Sequence, residues 1–398
     1  DAGAPLNERA RSYLQVNCAH CHQFGAGGTA DIDLRYDFPI EETKTLDIRP
    51  VQGTFDIPDA RILAPGDPYR SVLYYRMSKL GGGRMPHIGS DYVDVRGVRL
   101  LHDWIRQLPL HKDERAQLAK LIDLHDLGVL VRDREEWPGL VRRTAEGIAR
   151  AHGRTKVILE DTQQAERTIR AQAAGHVQAR APERKQAILA LLSSPTGALM
   201  LVHALDERRV PAWAQEEVLQ AAGTATGPVR DLFERFIPDD QRVARLGPII
   251  KPEQVLTRKG DIGRGRALFF NNAGLQCIKC HRVGSVGSTL GPDLSLIGKK
   301  YTRGQILENI LEPSKTIDPK YVAYLVVTDD GKQYTGLLVA KSMTEVVLRT
   351  STDQEIRLPL KKVEQMRSQK TSLMPEQLLR DLTAQEAADL LEFLASLK

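Results

Sequence analysis

The chain has 398 residues, of which 41% are hydrophobic and 27% charged, and its formal net charge is +5. That balance belongs to a folded chain of two to four domains rather than a disordered one, and no apolar run approaches the ~20 residues that cross a bilayer. The charge is slight for this length and no Lys/Arg block is interleaved with aromatics, so a nucleic-acid partner is not expected.

The chain opens at Asp1 with DAGAPLNERA, which has neither an initiator Met nor the basic start and apolar stretch of an export signal. It reads as the processed form of an exported, periplasmic protein. Residues 1–110 read as a small helical lobe, with helices over Glu8 to Val16, Ser71 to Leu80 and Val98 to Gln107. Gly25 to Gly28 and Pro65-Gly66-Asp67-Pro68 set turns between them.

Residues 111–250 read as a long-helical segment with Pro or Gly between its elements: Glu114 to Leu124, Glu183 to Leu192, Ala198 to Asp206 and Ala214 to Ala221. Such pairs stack in HEAT-type arrays, although no sequence repeat stands out here. His125, His152, His176 and His203 read as surface or satisfied core side chains rather than ligands.

Residues 251–398 form a second lobe, with Gly263 to Phe270 as its leading helix and Ala384 to Leu397 as its closing one. Inside it, YVAYLVV, QYTGLLVA, VVLRT and EIRLPL are β-prone runs, so residues 321–365 are expected to be a small antiparallel β insertion. The fold class expected is therefore mainly α: two helical lobes, a helical segment joining them, and that insertion.

Cysteine usage carries the chemistry. There are four, Cys18, Cys21, Cys277 and Cys280, in two CxxC pairs each followed at once by His22 or His281. CxxCH is the signature of a c-type haem attachment. Two thiols three positions apart on one turn can each add to a haem vinyl group, while the adjacent His is carried under the ring to bind iron. A single zinc held by both pairs would have to bridge the 255 residues between Cys21 and Cys277, far beyond the usual short span. A thioredoxin-like CxxC or a strained structural disulfide leaves both histidines unexplained. Two covalent haems, with iron ligands His22 and His281, are the expected cofactors.

The sixth ligand separates carrier from enzyme, because a thioether closes the iron face that oxygen or peroxide would otherwise use. Met85 in Gly-Gly-Arg-Met-Pro-His and Met374 in Ser-Leu-Met-Pro-Glu both precede proline in a loop before a terminal helix. Met85 lies 63 residues after His22, and Met374 lies 93 after His281, or 48 once the 45 residues of the insertion are set aside. Met77 and His87 remain rivals at the first site, and Met366 and Met343 at the second. Met77 lies among Leu73, Tyr74 and Leu80 at helical spacing and reads as core.

Leading helix, CxxCH, loop, methionine and closing helix in that order make both lobes resemble class I cytochrome c. The C-terminal part is similar to the haem-binding domain family abundant in Planctomycetes and Verrucomicrobia, through Gly263 to Phe269, Cys277 to Val283, Gly291-Pro292-Asp293-Leu294, Ile310 to Ser314, Tyr334-Thr335-Gly336 and Ser372 to Pro375. Arg11 to His22 and Arg84 to Gly89 resemble a cytochrome domain of bacterial oxidoreductase assemblies. The class I resemblance implies that the Pro292 carbonyl accepts a hydrogen bond from His281 and orients the ring. Asp31-Ile-Asp-Leu34 lacks the matching Gly-Pro pair.

These readings imply electron transfer between a periplasmic dehydrogenase donor and a downstream acceptor, with a dihaem peroxidase as the alternative. Charge adds a partner expectation. Residues 1–111 hold 13 Lys/Arg against 14 Asp/Glu, whereas residues 251–320 hold 12 against 6. Lys279, Arg282, Lys299, Lys300 and Arg303 cluster after the second motif, which suits an acidic redox partner there.

Overall fold

The computed structural model describes residues 3–23, 30–51, 53–87, 91–108, 181–225, 227–272 and 274–398. The expected turn over Gly25 to Gly28, the helix over Glu114 to Leu124, and His125, His152 and His176 lie outside the described residues. The chain divides into two compact units. One comprises Asp1–Ala10, Thr45–Leu80 and Arg84–Arg242; the other comprises Arg11–Lys44, Gly81–Gly83 and Val243–Lys398. The division falls inside the first helix, α1 (Leu6–Asn17).

In the first unit, Asp67 caps a turn of 3-10 helix over Pro68–Arg70, with Pro at its first position where no N–H is needed. This leads into α2 (Val72–Ser78), and Asp94 caps α3 (Val95–Gln107) by accepting from the Arg96 and Gly97 amides. Among the described residues, four further α-helices follow: α4 (Ala181–Leu192), α5 (Pro195–Asp206), α6 (Ala212–Gly223) and α7 (Gly227–Phe233). Nearly all of α5 is buried, as its sequence PTGALMLVHALD requires of a helix apolar on all sides. No described helix is long and apolar enough to cross a membrane; α4 and α5, apolar together, are bent by 118° at their break. Tyr74, Tyr75, Leu101, Trp104, Ile105 and Phe233 fill the core. One buried ion pair, Lys79 with Asp231 at 2.8 Å, is sheltered by the Phe55 and Tyr75 rings.

In the second unit the helical core is built on α12 (Ala384–Ser396), which packs against α8 (Glu253–Leu256), α9 (Ile262–Asn271), α10 (Ile297–Lys300) and α11 (Arg303–Leu311). Glycine sets the closest approach: a Cβ on Gly265 would stand 1.9 Å from the Asp389 carbonyl oxygen. Capping boxes at Thr302/Gln305 and Thr383/Glu386 start α11 and α12. Phe269, Leu275, Leu307, Leu390, Leu391 and Phe393 are buried between these helices. Asp389, itself buried, accepts from Arg264, Gln385 and the Asp261 amide, so its charge is held by four hydrogen bonds.

The expected mainly α class is corrected: the chain is mixed α and β. After a two-stranded ribbon, β1 (Arg282–Val283) and β2 (Val286–Gly287), comes a five-stranded antiparallel sheet. It consists of β3 (Ala323–Thr328), β4 (Gln333–Lys341), β5 (Glu345–Arg349), β6 (Glu355–Pro359) and β7 (Val363–Ser368), in the order β6-β5-β4-β3-β7. The sheet has its own core of Val326, Val346, Leu348 and Leu358, so it is a folded layer rather than an excursion from a helical lobe. The β-prone runs located four of its strands. The fifth, VEQMRS, was missed because edge strand β7 pairs on one side only and carries mostly polar, exposed side chains.

Candidate functional site

Both CxxCH segments take the same backbone turn. His22 N–H donates to the Cys18 carbonyl at 2.8 Å and Cys21 N–H to the same oxygen at 3.1 Å. His281 N–H donates to the Cys277 carbonyl at 2.9 Å and Cys280 N–H to that oxygen at 3.2 Å. In each, the first cysteine, the second and the histidine stand at i, i+3 and i+4, the spacing that puts side chains on one face of a turn. All four cysteines are free thiols. Burial first, then its partner Cys21, pushes the Cys18 thiol up to about 11; burial pushes Cys277 up to about 12. Cys280 is raised as well, by burial and then by the charge of Asp353. Among the described residues no group of three or more His, Cys, Asp or Glu is arranged to hold a bare metal ion.

At the second segment the loop after the histidine folds back over it. His281 Nδ1 lies 2.9 Å from the Pro292 carbonyl oxygen. A carbonyl can only accept, so Nδ1 carries the proton and Nε2 is left with the lone pair that binds a metal. Burial lowers the His281 pKa, against the raising effect of this bond, and keeps the ring in that neutral form. Two glycines make the approach possible: a Cβ at Gly291 would stand 2.9 Å from His281 Cε1, and one at Gly287 would stand 2.2 Å from the His281 carbonyl oxygen. Gly287 has φ +109°, a conformation open mainly to glycine. Gly291 N–H to Cys280 O and Leu294 N–H to Arg282 O lace the loop to the motif. At the first segment Leu34 N–H donates to the His22 carbonyl at 2.8 Å, bringing the 31–34 segment to the motif in the way the 291–294 segment is brought to its own. Arg11, buried on α1, holds the next stretch by donating to the Arg35 and Phe38 carbonyls.

The candidate distal methionines are both half-buried and both in loops. Met374 N–H donates to Ser372 Oγ, and Ser372 N–H to Ser314 Oγ, so the Met-Pro loop is tied to the turn that follows α11. Met85 N–H donates to the Arg76 carbonyl at 2.9 Å, within the first unit, whereas both CxxCH segments belong to the second. Their rivals are placed differently. Met77 is buried on α2, Met366 packs on the core of the sheet, and Met343 is 92% exposed. His203, expected to be a surface or satisfied core side chain rather than a ligand, is half-buried and stacks on His102 with ring centroids 3.7 Å apart. Sequence reasoning passed over Gly287, Ser288 and Asp353, which brace the second loop, because contacts made across 65 residues leave no local signal.

The residues at the second segment fit a covalent haem: two free thiols on one turn, a histidine with its tautomer fixed, and a glycine cradle beside the ring. A scan against protein-family models found no match, and a search of curated proteins found no relative.

Proposed function

We propose that the chain is an exported dihaem c-type cytochrome that passes electrons between a dehydrogenase-type donor and a downstream acceptor. One observation carries this reading: the same five-residue turn occurs twice, uses every cysteine in the chain, and sets a histidine at i+4 of each. Cys18 and Cys21 would anchor one haem and Cys277 and Cys280 the other, with His22 and His281 as proximal ligands. Met85 and Met374 are the proposed distal ligands, since Met77 is engaged in a helical core, Met366 in a sheet core and Met343 in solvent, while His87 remains the rival at the first site. The haem would supply a one-electron iron couple. The chain's own part would be to fix the His281 tautomer through Pro292, to raise ring basicity by that bond, and to offer the thioethers of Met85 and Met374 as further ligands.

The test is an intact mass on the full chain made in a host that matures c-type cytochromes. A gain of two haems is expected. A chain that gains none, or one that carries zinc in their place, overturns the reading.

A further inference from the structure

The loop that carries Pro292 is held from outside the motif. Ser288 N–H donates to the Ile278 carbonyl at 3.0 Å, inside the CxxCH turn, and Ser288 Oγ accepts from the Leu290 amide at 3.1 Å. The same Oγ donates to Asp353 Oδ2 at 2.9 Å. Asp353 stands on the turn between β5 and β6, in a left-handed conformation with φ +61°. Its own turn is closed by Asp353 N–H to the Thr350 carbonyl and Thr350 N–H to the Gln354 carbonyl. Arg349, at the end of β5, lies 3.6 Å from Asp353 and reaches Thr289 at 3.5 Å. The five-stranded sheet thus meets the 287–292 loop through two side chains, Asp353 on Ser288 and Arg349 on Thr289, next to the buried Leu290.

We propose that Asp353 is a positioning residue, which acts through Ser288 to hold the 287–292 loop so that Pro292 stays in hydrogen-bonding reach of His281. The sheet then serves the second site as a brace, and the strength of the His281–Pro292 bond depends on it. A weaker bond makes the imidazole less electron-donating and raises the potential of the iron it binds. This consequence rests on the haem reading proposed above; the bracing of the loop does not.

The test uses the full chain and four variants: Ser288→Ala, Asp353→Gly, Asp353→Asn, and Ser288→Ala combined with Asp353→Gly. Glycine accepts φ +61° without strain, and asparagine keeps both that conformation and an acceptor oxygen while losing the charge. Haem content by mass is measured first. In chains carrying two haems, Ser288→Ala and Asp353→Gly should each raise one midpoint potential and leave the other unchanged. The double variant should shift no further than either single one, and Asp353→Asn should stay near the parent. Unmoved potentials overturn the proposal. So does an Asp353→Asn shift as large as that of Asp353→Gly, which would mean that Asp353 acts by charge alone. If no haem is bound, the haem reading fails separately, and the brace is read by hydrogen exchange: the Gly291 amide should lose protection in Ser288→Ala and Asp353→Gly but not in Asp353→Asn. Equal protection in all four overturns it.

Discussion

His281 donates from Nδ1 to the Pro292 carbonyl at 2.9 Å while Gly291 leaves no room for a Cβ beside the same imidazole, so ring orientation and tautomer are set together by two consecutive residues. Gly291→Ala tests that arrangement. Its Cβ would stand 2.9 Å from Cε1 and 3.0 Å from Nδ1, so the ring or the loop must move. Overpacking of this kind costs about 1 to 3 kcal/mol. Loss of stability in a urea titration, together with altered haem attachment at the second site only, is expected. An unchanged chain would show that the loop yields freely.

On the proposed haem ligation, Met374→Ala and Met85→Ala should each open one iron, because a methyl group cannot replace the thioether. Each variant should lose the methionine charge-transfer band at one haem and bind imidazole or carbon monoxide there. A Met85→Ala chain with an unchanged spectrum would move the first distal ligand to Met77 or His87. A parent chain that already binds carbon monoxide and consumes peroxide would favour the peroxidase alternative.

The basic cluster after the second motif is smaller in effect than its sequence suggests. Arg282 is paired with Asp293, whose carboxyl is held down at about 2 by hydrogen bonds from Ser295 and then Arg282. Arg303 donates to the Leu256 and Arg258 carbonyls. Lys279, Lys299 and Lys300 remain exposed. Electron transfer to an acidic acceptor should slow as salt shortens the ~10 Å Debye length found at 0.1 M, and Lys299→Glu with Lys300→Glu should slow it further at low salt. A stopped-flow rate indifferent to both removes this docking assignment.

His102 and His203 stack 21° from parallel, with Tyr69 on His102 Nε2 and Asp103 on its Nδ1. Burial first, and then the charges of His102 and Arg209, push His203 down to about 3. A histidine held neutral in the fold costs nothing above the ordinary pKa of ~6.5. Between 6.5 and 3 the unfolded chain takes up a proton that the fold refuses, so stability falls as pH falls, by at most about 1.4 kcal/mol per unit. Urea unfolding at pH 7 and 4.5 should differ by roughly 2 kcal/mol from this source, and His203→Leu should flatten the difference. A His203→Leu chain with the parent's full pH dependence would place the effect elsewhere.

How much of this was legible beforehand depended on the range of the interaction concerned. The CxxCH spacing determined the turn at both segments, because a hydrogen bond from residue i+4 to i is local and needs no tertiary partner. The period of apolar residues likewise located α3, α5, α9 and α12, since a helix buries one face wherever it packs. The His281–Pro292 contact was expected from a family resemblance that included Gly291, and only the fold showed why a Cβ there would meet the ring and that Gly287 is needed as well. Residues 11–44 and 243–398 form one unit although more than 190 residues separate them, an arrangement that no local pattern encodes. The mixed fold class, polar strand β7, the Asp353–Ser288 link and the His102–His203 stack were decided by tertiary structure. In each of these the stabilising partner is distant in the chain, and its free energy appears only after the intervening segments have folded.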